Sequence, residues 1–476
     1  MGAEGFLPTA SRIFCPTPPW RILKHPTAAS PRNPWRNDVS ELMTEVSPEF
    51  ESTIMELLAH GRVQRVGEES TPDPDRADRP GRRLRQTGDQ PDHRACAGSS
   101  DERHGDPGSG RRHDRALSPS VADGGPPMSA LKIAVIGGGS SYTPELVDGL
   151  IQRIEELPVT ELALVDVEPG RQKVETIAAL TRRMLARHGL EQVKVSVHFA
   201  LDDAIRGAAF VLTQFRVGQL PARAADERLG LKYQLLGQET TGVGGFAKAL
   251  RTIPVMLDIA RRVEKLAPDA WIINFTNPAG IVTEAVSRFT KAKIIGLCNV
   301  PISMHHMIAN MLQAPYADVQ LRFAGLNHMV WVHQVTQQGR DVTAKVIDML
   351  CDGAALTMNN IKEEPWQPDF LRALGAIPCP YHRYFYQTRE MLAEEMAAAG
   401  ERGTRAEQVM QVEKELFELY ADPQLNTKPE QLSFRGGSFY SEVALELIRA
   451  IHNNLGTQLV VNTANRGAIH GLPDDA

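Results

Sequence analysis

Short aliphatic runs separated by amphipathic stretches begin abruptly at Leu131 and recur as far as Gly296. Leu131-Lys-Ile-Ala-Val-Ile136 is almost wholly apolar and stops at glycines, as expected of a parallel strand buried on both faces. Glu161-Leu-Ala-Leu-Val-Asp166, residues 193–199, Ala209-Phe-Val-Leu-Thr213, Trp271-Ile-Ile-Asn-Phe275 and Ala292-Lys-Ile-Ile-Gly296 repeat the signal. Helices are expected between them. One opens at Thr143-Pro-Glu-Leu, where Thr143 suits an N-cap and Pro144 the first helical position. Another runs amphipathically to about His188. This alternation predicts an α/β fold, a Rossmann-like doubly wound parallel sheet, over residues 129–330. After that the periodicity is less regular. A strand pair across 329–346 and helices at 389–399, 405–419 and 442–453 are expected, giving an α+β domain over 331–476.

Residues 1–128 lack such periodicity. They are rich in Pro, Gly, Arg and Asp, and Lys24 is their only lysine. Apart from a short helix expected at 47–60, they carry too little apolar surface to offset chain entropy. The segment is read as disordered or as a non-native extension, since Met128 directly precedes the first strand; an Arg-rich interaction tail is the competing reading. Over all 476 residues the net charge is −6, so no electrostatic argument favours nucleic acid or an anionic membrane as partner. No run of about 18 apolar residues is present, and no secretory leader is recognised. Five scattered cysteines fit a reducing cytoplasm better than a disulfide framework.

Gly137-Gly-Gly-Ser140-Ser141-Tyr142 sits between the first strand and first helix, where bare backbone N–H groups can cradle a pyrophosphate. Gly137 and Gly139 fit a G-x-G fingerprint, while Tyr142 replaces its third glycine. Asp166 ends the second strand and would accept hydrogen bonds from a ribose, favouring NAD over NADP; Glu168 is a lesser candidate. A plain tight turn is the alternative. Asn274-Phe-Thr-Asn277-Pro278 ends another strand, so Asn277 is expected to face a sugar or the nicotinamide ribose, or else to make a local Asx turn. Gly237-Gln-Glu239-Thr-Thr-Gly-Val-Gly-Gly245, preceded by Arg223 and Asp226, reads as a substrate loop or a flexible connection. Cys298 and His328 end successive elements and could hold a divalent metal with substrate oxygens, although either residue alone is more often simple packing. Tyr381 lies in an aromatic, basic stretch and could act as a base near a cation, against ordinary aromatic packing. Arg435 could bind phosphate bidentately or occupy a surface turn.

Six segments in this order resemble glycoside hydrolase family 4. They are Ile136-Gly-Gly-Gly-Ser-Ser-Tyr-Thr-Pro-Glu145, Gly237-Gln-Glu-Thr-Thr-Gly242, Asn277-Pro-Ala-Gly-Ile-Val282, Cys298-Asn-Val-Pro301, Gly325-Leu-Asn-His328 and Arg435-Gly-Gly. The resemblance runs from residue 131 to 476. It implies an NAD-dependent hydrolysis outside the two-carboxylate scheme of most glycosidases. NAD+ takes hydride from sugar C3, the resulting ketone acidifies the C2 proton, the aglycone leaves by elimination, water adds, and hydride returns. Mn2+ or another divalent ion, held by Cys298 and His328, binds O2 and O3. Tyr381 matches the base at C2. Asn299 stands where α-glycosidase members carry an Asp, so Cys-Asn-Val-Pro resembles the 6-phospho-β-glucosidase branch. Ser140, Ser141, Asp166 and Asn277 are then expected at the cofactor, and Arg223, Glu239, Asn277, Asn299 and Arg435 at the substrate. A phosphorylated β-glucoside as small-molecule substrate, a dimer or tetramer, and a substrate domain shorter than usual for the family are further implications. A plain 2-hydroxy-acid dehydrogenase and an inactive NAD- or sugar-phosphate-binding remnant are the rival readings.

Overall fold

The computed structural model describes residues 131–358, 361–436 and 439–474; the expectations for 1–128, including a helix at 47–60, lie outside the described residues. The strands β1 (Leu131–Ile136), β2 (Val159–Val165), β3 (Lys194–His198), β4 (Phe210–Thr213), β5 (Trp271–Asn274) and β6 (Lys293–Gly296) form one sheet in the order β3-β2-β1-β4-β5-β6. All five pairings are parallel. The order reverses between β1 and β4, where an open α/β sheet presents a ligand crevice at its carboxyl edge. Ile136 is level with Val165 on one side and Thr213 on the other, so three strands end together there. The intervening helices are α1 (Thr143–Ile151), α2 (Arg171–Arg187), α3 (Leu201–Ile205), α4 (Gln219–Lys232), α5 (Gly242–Leu266), α6 (Ala279–Phe289) and α7 (Val300–Met311).

A second sheet is antiparallel: β7 (Val319–Leu326), β8 (Met329–Gln337), β9 (Arg340–Asp341) and β10 (Ile377–Pro378). The strand pair expected across 329–346 is present as β8 and the short β9, whereas β7, which also pairs with β8, was not expected. Strand β7 alternates between inward and outward residues, with Val319 buried and Gln320 exposed, which is a weaker signal than a continuous apolar run. After β9 the Asp341 carboxylate accepts from the Thr343 N–H at 2.9 Å and its hydroxyl at 2.7 Å, which starts a helix. The division expected at residue 330 falls inside the β7–β8 hairpin, and residues 319–330 pair within the second sheet. Six helices follow: α8 (Thr343–Cys351), α9 (Pro368–Leu374), α10 (Arg383–Tyr386), α11 (Thr388–Glu401), α12 (Arg405–Ala421) and α13 (Tyr440–His452). The last three match the helices expected there.

Two hydrophobic cores result. The second joins Val300, Met304 and Ile308 of α7 to Val332, Val335, Ile347, Leu371 and Ile377. The first surrounds the parallel sheet, but it is completed by Leu416 and Tyr420 of α12 and by Leu445 and Ile448 of α13. The tail of the chain thus returns to cover strands made near its start. Each such buried aliphatic side chain contributes on the order of 1.5–3 kcal/mol.

Candidate active site

The glycine loop lies at the level ends of β1, β2 and β4. Gly137 has φ +84°, and a Cβ there would lie 2.8 Å from the Phe215 backbone. The Gly139 N–H donates to Asp166 Oδ2 at 2.9 Å, and the Val167 N–H to Oδ1 at 2.8 Å. Burial raises the Asp166 carboxyl above its ordinary range, against these two donors and Lys173. Ser140 Oγ accepts from the Tyr142 N–H at 3.2 Å. Ser141 is fully buried, and its hydroxyl donates to Glu413 at 3.0 Å. The crowding around Gly137 fits the tight glycine turn of a dinucleotide-binding loop, because no side chain fits against the Phe215 backbone.

A cluster of cations surrounds Glu239 in the loop after α4. Its carboxylate accepts from Arg216, from Lys248 Nζ at 3.1 Å, and pairs with Arg223 Nε at 3.0 Å. Burial opposes ionisation of Glu239, but Arg216, Arg223 and Lys248 hold its carboxyl well below the usual range. Arg223 is also anchored by Glu227 at 2.7 Å, four residues on along α4. Lys248 is 3% exposed; burial and then Arg216 lower its ammonium to about 7, against the pull of Glu239. Asp226, whose carboxyl still feels the charges of Lys248 and Glu239, forms a two-pronged pair with Arg251 at 2.8 and 2.6 Å.

Arg435 stacks on Tyr142 of the glycine loop, 4.9 Å from the ring centroid, and its Nε is buried without a hydrogen-bond partner. Burial lowers its guanidinium, Glu413 opposes that, and Arg216 and Arg223 add repulsion. Arg435 therefore stands between the cofactor loop and the Glu239 cluster. A buried guanidinium with an unsatisfied donor among other cations fits a phosphate oxyanion.

His328 occupies the turn between β7 and β8 with φ +60°. Its ring stacks on Tyr381 at 3.7 Å and 10°, and its Nδ1 lies 3.4 Å from the Thr240 hydroxyl. Burial lowers its imidazole to about 4, leaving it neutral with a lone pair to donate. Cys298 follows β6 and accepts from the Val300 N–H at 3.5 Å at the start of α7. Burial pushes its thiol up to about 12 against that donor, and Cys379 adds to the rise. The Cys379 thiol in turn donates to the His328 carbonyl at 3.5 Å, so it links the surroundings of Cys298 and His328. Among the described residues no three His, Cys, Asp or Glu side chains converge on a metal position. One thiolate and one imidazole fit a divalent ion whose remaining positions are filled from outside the protein, and binding would draw the proton from the thiol.

Asn277 precedes Pro278 through a cis peptide bond, and its Oδ1 accepts from the Ala279 N–H at 3.3 Å. Its side chain also hydrogen-bonds Tyr440, a half-buried phenol raised by burial and then by Cys298 and Tyr381. Asn299 is 6% exposed at the N-cap of α7. Asn274 is turned inward, accepting from the Thr213 hydroxyl and the Thr276 N–H, both at 2.9 Å. Sequence reasoning missed Arg216, Lys248, Arg405, Glu413 and Tyr440. Single charged or phenolic residues on a helix or in a loop look like ordinary solvated positions until the fold gathers them; the only local hint was the carboxylate in Gly237-Gln-Glu239, which needs counter-charges when buried.

Comparison with known proteins follows the same division. Residues 132–314 match the family 4 glycosyl hydrolases, and residues 323–476 match the C-terminal domain of that family. A probable 6-phospho-β-glucosidase of Bacillus subtilis is 52% identical over 350 residues, covering 73% of this chain and 78% of the relative. A 6-phospho-β-glucosidase of Escherichia coli is 47% identical over 351 residues, covering 72% and 77%. A solved structure of the Thermotoga maritima 6-phospho-β-glucosidase with manganese, NAD+ and glucose-6-phosphate aligns at 39% identity with a TM-score of 0.64, over 72% of this chain and 79% of that one.

Proposed function

The chain belongs to family 4 of the glycosyl hydrolases, and from that premise we propose that it hydrolyses 6-phospho-β-glucosides using NAD and a divalent metal such as Mn2+. The observation that carries the substrate is the group Arg216, Arg223, Lys248 and Arg435: the first three meet at Glu239, and Arg435 stands between them and the glycine loop. That excess of positive charge supports recognition of a sugar phosphate. When bound, NAD+ supplies a hydride acceptor for sugar C3, and the metal supplies positive charge over the C2 and C3 oxygens.

The protein's own residues then divide as follows. Gly137, Gly139, Ser140, Ser141 and Asp166 hold the dinucleotide, and Cys298 and His328 hold the metal. Tyr381, stacked flat on His328, takes the C2 proton once the C3 ketone has acidified it. Glu239, Asn277 and Asn299 orient the sugar hydroxyls. Arg435 and Arg223 receive the phosphate. Because hydride leaves C3 and returns to it, NAD is recycled; a 2-hydroxy-acid dehydrogenase would instead release NADH in step with product.

The test supplies p-nitrophenyl 6-phospho-β-glucoside with NAD+, Mn2+ and a thiol reductant. Nitrophenol release is expected to need both cofactors and the 6-phosphate, with no net NADH. Turnover of the unphosphorylated glycoside at the same rate, or NADH matching product, would sink this reading.

Among the described residues no helix is long and apolar enough to cross a membrane. Work in the reducing cytoplasm is proposed from Cys298, which must stay a thiol to bind metal. A homo-oligomer, dimer or tetramer, is proposed from exposed Phe246 and Leu250 on α5, Ile281 and Phe289 on α6, and Leu326 and Met329 beside the His328 turn. Light scattering that shows a monomer at micromolar concentration would remove the last proposal.

A further inference from the structure

Helix α12 touches both places where the site meets negative charge. Glu413, Phe417 and Tyr420 share one of its faces, spaced four and three residues apart. On the nucleotide side, Glu413 Oε1 accepts from the Ser141 hydroxyl at 3.0 Å, and the Tyr420 hydroxyl donates to the Ser141 carbonyl at 2.8 Å. Glu413 Oε2 accepts from Lys173 Nζ at 2.7 Å, and that ammonium lies 5.2 Å from the Phe417 ring centroid. Both polar groups of the buried Ser141 side chain and carbonyl are therefore held by α12. On the phosphate side, Glu413 attracts Arg435, whose guanidinium rests on Tyr142 and whose Nε is unsatisfied. Arg405, at the start of α12, donates to the Arg435 carbonyl at 3.3 Å. Glu413 thus bonds the glycine loop directly and acts on Arg435 through its charge, while Arg405 of the same helix holds the Arg435 carbonyl.

We propose that Glu413 is a positioning residue that couples the two ligands, so that NAD+ and the 6-phosphate of the sugar bind cooperatively through Ser141, Glu413 and Arg435. The inference rests on the functional reading above and deepens it. Two anionic ligands in one crevice repel, so with no coupling device they would weaken each other. A ligand on either side fixes one end of the Ser141–Glu413–Arg435 set, and the second ligand meets partners already ordered. The sign of the coupling is therefore diagnostic.

The experiment titrates the full chain with NAD+ by calorimetry, with and without saturating glucose 6-phosphate, and repeats the titrations in the reverse order. In the unaltered protein the sugar phosphate is expected to tighten NAD+ binding about fivefold or more, with the same factor in reverse. Glu413→Gln keeps an acceptor for Ser141 and removes the charge. It is expected to cut the coupling to below about twofold. Each ligand alone should still bind with an affinity within about threefold of the unaltered protein, since losing a negative charge does not weaken an anion. Glu413→Met cuts the same link with an uncharged side chain of similar length, so it gives the same answer should the first variant not fold. Damage to packing alone would weaken both single affinities and leave the coupling factor standing. Antagonistic or independent binding in the unaltered protein, or full coupling in both variants, would overturn the inference alone. If the unaltered protein bound neither ligand, the functional reading would fall and take the inference with it.

Discussion

The parallel sheet contributes to the site through strand ends, whereas the antiparallel sheet contributes through rings. On the first side the positions are the Gly137–Gly139 loop, Asp166, Asn277 and Cys298, each set by where β1, β2, β5 or β6 stops. Their geometry follows from register: Ile136, Val165 and Thr213 lie level, so the loop has one place to go. On the second side His328 leaves a hairpin turn, and Tyr381 follows the two-residue strand β10 to stack on it at 3.7 Å. Nothing in a hairpin or a two-residue strand fixes a ring plane; packing in the second core does, with Cys379 and Tyr384 beside it. One region positions chemistry by backbone and the other by side-chain contact, so the two should fail differently when disturbed.

The largest effect is expected where the regions meet. Cys298→Ala should lower kcat/KM by more than about 10³-fold with the phosphorylated substrate, because the charge that stabilises the sugar oxygens loses a ligand. Activity within tenfold of the unaltered protein would remove Cys298 from the metal. Tyr381→Phe keeps the flat stack on His328 and removes the hydroxyl; kcat is expected to fall about 10²–10⁴-fold with KM little changed. A large rise in KM instead would make the ring a packing element. In the parallel region, Gly137→Ala brings its Cβ against the Phe215 backbone at a φ of +84°. About 1–3 kcal/mol of strain at the loop should weaken NAD+ roughly tenfold or more, read by calorimetry, while thermal melting shows the fold retained.

Lys248 gives a pH signature. Its buried ammonium titrates near 7, so it is charged below that pH and neutral above it. Glucose 6-phosphate binding should therefore lose the contribution of one charged contact as pH rises through 7, about threefold to tenfold relative to Lys248→Met, which lacks that titration. Parallel pH profiles for the two proteins would place the lysine outside the phosphate site. The smallest change is Tyr420→Phe, which removes the hydrogen bond to the Ser141 carbonyl. A cost of about 0.5–1.5 kcal/mol, and a few degrees in Tm, is expected.

The same contrast explains what was readable in advance. Strands β1, β2, β4, β5 and β6 are apolar on both faces and bounded by turn residues, so the sequence pattern places them closely. Strand β7 covers only alternate residues, with Val319 buried and Leu321 and Phe323 half-buried, and so was not expected. The glycine loop was visible because a bare backbone leaves a mark in sequence. Arg216, Lys248 and Glu413 were not, because a lone charge in a loop or on a helix carries no sign of whether water or another charge faces it. Nor did periodicity reveal that α12 and α13 belong to the first core; amphipathic helices announce a buried face without saying which sheet covers it.

That last arrangement has a consequence for how the protein is made. Leu416, Tyr420, Leu445 and Ile448 close a core whose first strand begins at Leu131. At about 5–20 residues per second, a ribosome delivers Ile448 roughly 15–60 seconds after Leu131. The last strand ends at Gly296, so for roughly the second half of that interval, about 8–30 seconds, the completed sheet lacks its closing helices and its apolar flank is open to other nascent chains. The half of the molecule that is made first is therefore the half that must wait, and it is there that a chaperone would find the most to hold.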